Sequence, residues 1–107
     1  MPGALRLPAF GRAQLPAWEY LGGEAITMDG ASHYGATIPS TTSIVEIRAR
    51  DGECYFCING AAASAGSPGY VPLNGAEIIG PLSNLVSLRV FSATANAVAH
   101  IMYFVEK

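Results

Sequence analysis

The chain has 107 residues, half of them hydrophobic and only 13% charged, with a formal net charge of −2. That length suits one domain with a single core, and a charge balance without any basic stripe sets aside nucleic-acid binding. No apolar run approaches the roughly 18 residues of a spanning helix. Pro8 stands where the apolar core of a cleaved signal would lie, so no such signal is expected.

Charge keeps the surfaces of small domains wet and separate, and a chain this poor in it is expected to have part of its surface covered by partners. Residues 1–23 carry the clearest sign of this. Leu5, Leu7, Phe10, Leu15, Trp18 and Tyr20 follow neither a helical nor a strand period, and Pro2, Pro8 and Pro16 each remove a backbone N–H. The expectation is an extended N-terminal arm that lies on another surface, with those six residues as candidate interface residues.

Residues 24–107 read as one β domain. Glu24–Met28 and Tyr34–Ile38 are short strand candidates on either side of Asp29-Gly30. Asp51-Gly52 predicts a two-residue hairpin turn, with Arg50 opposite Glu53, Ala49 opposite Cys54, Ile47 opposite Phe56 and Val45 opposite Ile58. Residues 60–75 read as a long loop bounded by Asn59-Gly60 and Asn74-Gly75, with Tyr70 as a further candidate anchor. Glu77–Ile79 is a short strand stopped by Gly80-Pro81. Val86–Phe91 and Val98–Val105 form a second strand pair, and the last strand is apolar on both faces, as a central strand would be. About seven or eight short strands without a helix predict an antiparallel β-sandwich or jelly roll.

Chemical motifs are sparse. Cys54 and Cys57 lie on opposite sides of a strand, about 10 Å apart along it, and read as two packed thiols rather than a disulfide or a zinc site. His33 and His100 form no metal-binding pattern; His33 reads as solvent-facing and His100 as packed or interfacial. No serine occupies a nucleophile elbow. Ala65-Gly66-Ser67-Pro68-Gly69 lacks the ending of a phosphate loop. Glu53 reads as the surface ion partner of Arg50, and Asp29, Asp51 and Glu53 lack calcium-loop spacing. The expectation is a non-enzymatic protein with no cofactor or metal.

Three stretches carry a resemblance: Pro16-Ala17-Trp18-Glu19-Tyr20; Thr42-Ser43-Ile44-Val45-Glu46-Ile47; and the closing run from Gly80-Pro81-Leu82-Ser83-Asn84 through Val90, followed by His100-Ile101-Met102-Tyr103-Phe104. In this pattern the chain resembles the small capsid decoration (cement) and accessory structural proteins of tailed bacteriophages. The resemblance implies a β-sandwich or jelly-roll body and a homo-oligomer on the capsid surface. It also implies contacts with the major capsid protein and with other copies, an arm crossing a subunit boundary, and no catalysis. Such a protein is made in the host cytoplasm and ends in the virion, with neither nucleic acid nor membrane as partner. The alternative is a carbohydrate- or receptor-binding module with Tyr70, Tyr55 and Trp18 as stacking platforms.

Overall fold

Alternating apolar and polar residues run through most of the chain, and the computed structural model, which describes residues 17–35 and 37–107, turns them into strands. In chain order these are β1 (Trp18–Thr27), β2 (His33–Tyr34), β3 (Ile44–Arg50), β4 (Cys54–Cys57), β5 (Gly69–Val71), β6 (Ala76–Ile79), β7 (Arg89–Phe91) and β8 (Val98–Glu106). A 3₁₀ turn, Leu85–Ser87, precedes β7. The first four strands pair in reverse order with the last four: β1 with β8, β2 with β7, β3 with β6 and β4 with β5. Pairing of β3 with β8 and of β4 with β7 completes two antiparallel four-stranded sheets, β1-β8-β3-β6 and β2-β7-β4-β5.

The core lies between the sheets. Val45, Ile47 and Ala49 of β3 and Ala99, Ile101 and Tyr103 of β8 face Cys54, Val71 and Val90 of the second sheet, all buried in one cluster. Fully burying an isoleucine contributes about 1.5–3 kcal/mol. A one-residue slip of β3 would exchange Ile47 for Arg48 and lose that term, so the alternation fixes the register. The all-β, two-sheet architecture expected from the strand pattern is what the chain adopts. Among the described residues no helix is long and apolar enough to cross a membrane.

The pairing corrects one expectation. Asp51-Gly52 does not close a hairpin, because β3 belongs to the first sheet and β4 to the second. The two apolar rows, Val45-Ile47-Ala49 and Cys54-Phe56-Ile58, do turn inward, but they face each other across the core. At this corner Asp51 takes a left-handed conformation, with φ 64°. Gly52 is buried so tightly that an added Cβ would lie 2.8 Å from Ala97 Cβ and from Thr94 Cβ. Arg50 sits opposite Val98 instead of Glu53, and the ion pair expected of it does not form. Arg48 takes Glu46 at 3.5 Å instead. Likewise β7 and β8 are partners in no sheet, and Ser92–Ala97 carries the chain across.

Smaller differences have local causes. Val86 falls in the 3₁₀ turn, so strand begins only at Arg89. The stretch 60–75 is not wholly loop, since β5 forms within it and pairs with β4. Residues 18–23, which the sequence places in the arm, form the first half of β1, hydrogen-bonded to β8. β8 stands between β1 and β3, the central place its two apolar faces predict.

The sheet edges are poor templates for another strand. β1 carries a bulge between Tyr20 and Gly22, with Gly22 at φ 137°. β2 has two residues, β5 is flanked by Pro68 and Pro72, and β6 stops at Gly80-Pro81. Bulges, prolines and short length are the devices that blunt edge-to-edge pairing.

Candidate interaction faces

Because inward residues on each strand are consumed by the core, the alternate residues define two outer faces. On the first sheet, Tyr20 of β1 lies opposite Phe104 of β8, and Ile44 of β3 lies on Phe104's other side. Trp18 and Tyr20 both reach the Phe104 ring, with centroids 5.7 Å away in each case. Trp18 is 44% exposed and Tyr20 59%. The two rings therefore stand against their own sheet yet keep about half their surface in water. The sheet continues through the exposed Ile78 and the half-buried Met102, both opposite Glu46.

Next to this apolar patch is a shallow depression of about 390 Å³, whose lining includes Tyr20, Gly23, Arg48, Arg50, His100 and Met102 together with one carboxylate, Glu24. Gly23 leaves room for the Tyr20 hydroxyl, which lies 3.2 Å from where a Cβ would be. His100 is exposed here, opposite Arg48. Of the two readings the sequence allows for it, packed or interfacial, packing does not hold, because its side of β8 faces outward.

The second sheet's outer face is aromatic. Tyr55 of β4 sits between Phe91 of β7 and Tyr70 of β5 in one cross-strand row, with ring centroids 6.5 and 5.2 Å away. In the next row Arg89 lies between Tyr34 and Cys57. Its guanidinium carbon is 4.2 Å from the Tyr34 ring centre, a cation–π contact. Tyr34 and Tyr70 remain half exposed, and no carboxylate occupies a strand position on this face.

Of the residues singled out by sequence, Trp18 and Tyr20 thus come together on the first sheet, while Tyr70 lies on the other. Leu5, Leu7, Phe10 and Leu15 lie outside the described residues. Sequence reasoning missed Phe104, Tyr34, Phe91 and Arg89 as face residues. For three of them the signal was available in β7 and β8, where Arg89 and Phe91 flank the buried Val90 and Phe104 follows the buried Tyr103; Tyr34 lies in a strand of two residues, too short to show alternation.

Several other polar groups are internally engaged, whereas Thr42 Oγ1 and Arg89 Nε are buried without a hydrogen-bond partner among the described residues. His33 Nε2 and Asp29 Oδ1 lie 2.7 Å apart. That contact, with the Ala31 N–H, holds the Asp29 carboxyl below its usual range. Cys57 Sγ donates to Ser67 Oγ at 3.2 Å, and the Ser64 N–H donates to the same oxygen at 2.8 Å, so the 64–67 turn closes on itself. Both cysteines are free thiols, and burial pushes the Cys54 thiol up to about 11. Glu24 Oε2 accepts from the Tyr103 hydroxyl and from the Thr37 N–H. Among the described residues no group of three or more His, Cys, Asp or Glu could hold a metal ion. No protein-family model matches the chain, and neither curated proteins nor solved structures gave a significant match.

Proposed function

We propose that the chain is a non-enzymatic structural protein that stabilises contacts between subunits of a larger shell, in the manner of the bacteriophage decoration proteins it resembles. One observation carries this reading. Aromatic side chains stand half exposed on the outer faces of both sheets, whereas the sheet edges are bulged, short or flanked by proline. Trp, Tyr and Arg supply most of the energy in protein interfaces when they enter a partner's surface. A sandwich with such residues on opposite faces can touch two neighbours at once. In this reading the second sheet's tyrosine face joins copies of the chain into a homo-oligomer. The first sheet's face, where the chain enters β1 at Ala17 and Trp18, docks on the major capsid protein of a virion.

The strand order adds support. Pairing of 1 with 8, 2 with 7, 3 with 6 and 4 with 5 follows the winding of an eight-stranded jelly roll, an architecture used by capsid proteins and also by lectins. Fold alone does not assign function, so the reading rests on the faces. Multi-angle light scattering on the purified chain tests it: a discrete homo-oligomer is expected, and a monomer at every concentration would contradict it.

A second reading, a carbohydrate-binding module, is favoured by the Phe91-Tyr55-Tyr70 row with its phenolic hydroxyls. Binding to a glycan array that disappears in Tyr70→Ala would establish that use in place of self-assembly.

A further inference from the structure

The first sheet's outer face has a feature that apolar docking does not use. The described lysines and arginines are Arg48, Arg50, Arg89 and Lys107. Lys107 lies 3.3 Å from Glu19, and Arg89 stacks on Tyr34. The other two line one depression together with His100, in a chain whose net charge is −2. Arg48 and Arg50 occupy alternate positions of β3, so they project to the same side, about 6.6 Å apart along the strand. His100 stands beside Arg48 on β8.

Two carboxylates lie near this row, Glu46 on its own side of the sheet and Glu24 opposite the inward Ile101. Glu46 is 3.5 Å from Arg48 and mostly covered. Glu24, at the lip, accepts hydrogen bonds from Tyr103 and Thr37 on its inner side. No carboxylate among the described residues lies within ion-pair distance of Arg50 or His100.

The geometry points to an occupant with matching anions: an extended acidic segment of a partner protein, its carboxylates set at alternate positions. Alternate side chains of an extended chain repeat at the same interval of about 6.6 Å as Arg48 and Arg50. Tyr20 and Met102 flank the row and cover the apolar atoms between the carboxylates. A second copy docked face to face would bring two such rows together, and like charges in contact disfavour that pairing. Nucleic acid is disfavoured because two arginines neutralise too few phosphates. This inference rests on the first sheet being a docking face and specifies what docks there.

Fluorescence anisotropy on the whole chain tests it, with a labelled peptide in which Glu alternates with Thr and a matched peptide in which Gln replaces Glu. The Glu peptide is expected to bind at low salt and the Gln peptide not. The double variant Arg48→Gln, Arg50→Gln is expected to weaken binding about tenfold, the scale of two exposed charge pairs. About 0.3 M salt should weaken it comparably. An unchanged circular dichroism melt checks that the double variant folds. Equal binding of both peptides, no binding of the Glu peptide, or no effect of the double variant would overturn the inference. So would tighter binding of heparin or single-stranded DNA through the same two arginines. Oligomerisation through the second sheet does not involve these residues, so a failure here leaves light scattering as a separate test of assembly.

Discussion

Tyr103 donates its hydroxyl hydrogen to Glu24 Oε2, tying the central strand β8 to the edge strand β1 from the core side of the sheet. The same oxygen accepts the Thr37 N–H at 3.2 Å, which draws the segment after β2 onto the sheet. Gly35 is part of this arrangement. An added Cβ there would lie 2.5 Å from the Tyr103 hydroxyl oxygen and 2.8 Å from Glu24 Oε2.

Tyr103→Phe removes one donor to a charged acceptor and keeps the ring. Hydrogen bonds to charged groups are worth about 1.5–3 kcal/mol. With Thr37 still bound to the carboxylate, a loss of about 1–2 kcal/mol is expected, measured by urea denaturation. Gly35→Ala should cost at least as much, since it pushes the pair apart.

Stability should decline at alkaline pH. Burial, then hydrogen bonding to Glu24, raises the Tyr103 phenol well above its usual range. Burial raises the Cys54 thiol from 9.0 to about 11. A group whose folded value is raised contributes stability that is complete below its unfolded value and is lost as pH rises through the folded one. The decline should therefore begin near pH 9 with Cys54 and steepen above about 10 as an unfolded tyrosine starts to ionise. Thermal melts from neutral to alkaline pH check this. Cys54→Ala should delay the onset, and Tyr103→Phe should flatten the steeper part. Asp29, held low by His33, acts in the opposite sense. Its contribution is present at neutral pH and is lost as pH falls below the usual carboxylate range.

The corner between β3 and β4 gives a sharp mutational contrast. Gly52→Ala should destabilise by about 1–3 kcal/mol, because the new methyl meets Ala97 and Thr94 in a packed corner. Asp51→Gly should be neutral or slightly stabilising, since the left-handed φ suits glycine. In a two-residue surface hairpin Gly52 would instead need a positive φ and would touch neither Ala97 nor Thr94, so a denaturant midpoint of Gly52→Ala that is partly restored by Ala97→Gly distinguishes a crossing from a hairpin.

This corner also shows what can be read in the sequence. The inward residues of β3, β4 and β8 are legible from alternation alone, because burial is set residue by residue. The partner of each strand is not. Asp51-Gly52 specifies a reversal of chain direction, and two inward apolar rows satisfy their burial equally well as neighbours on a ladder or as opposite walls of a core. The same ambiguity makes β7 and β8 read as a pair. In β1 the signal is broken physically: the bulge at Tyr20–Gly22 shifts the alternation, so Trp18 and Tyr20 look aperiodic and read as part of an arm. The faces are half legible. Trp18, Tyr20 and Tyr70 stand out by size, whereas Tyr34, Phe91 and Phe104 become face residues only once strand order brings them beside those rings.

Removing the face rings should leave the fold intact. Trp18→Ser with Tyr20→Ser deletes side chains about half in water, and the melting temperature should fall by no more than a few degrees, because the buried cluster of β3 and β8 is untouched. Differential scanning calorimetry reads this directly.

The most direct test of the assembly account replaces Tyr34 and Tyr70 together by serine and follows mass by light scattering alongside the melting temperature of the same samples. The account predicts that the parent chain forms a discrete oligomer, and that the double variant becomes monomeric while melting within a few degrees of the parent. An oligomer that persists unchanged without those two rings, or a parent chain that is monomeric throughout, would contradict it.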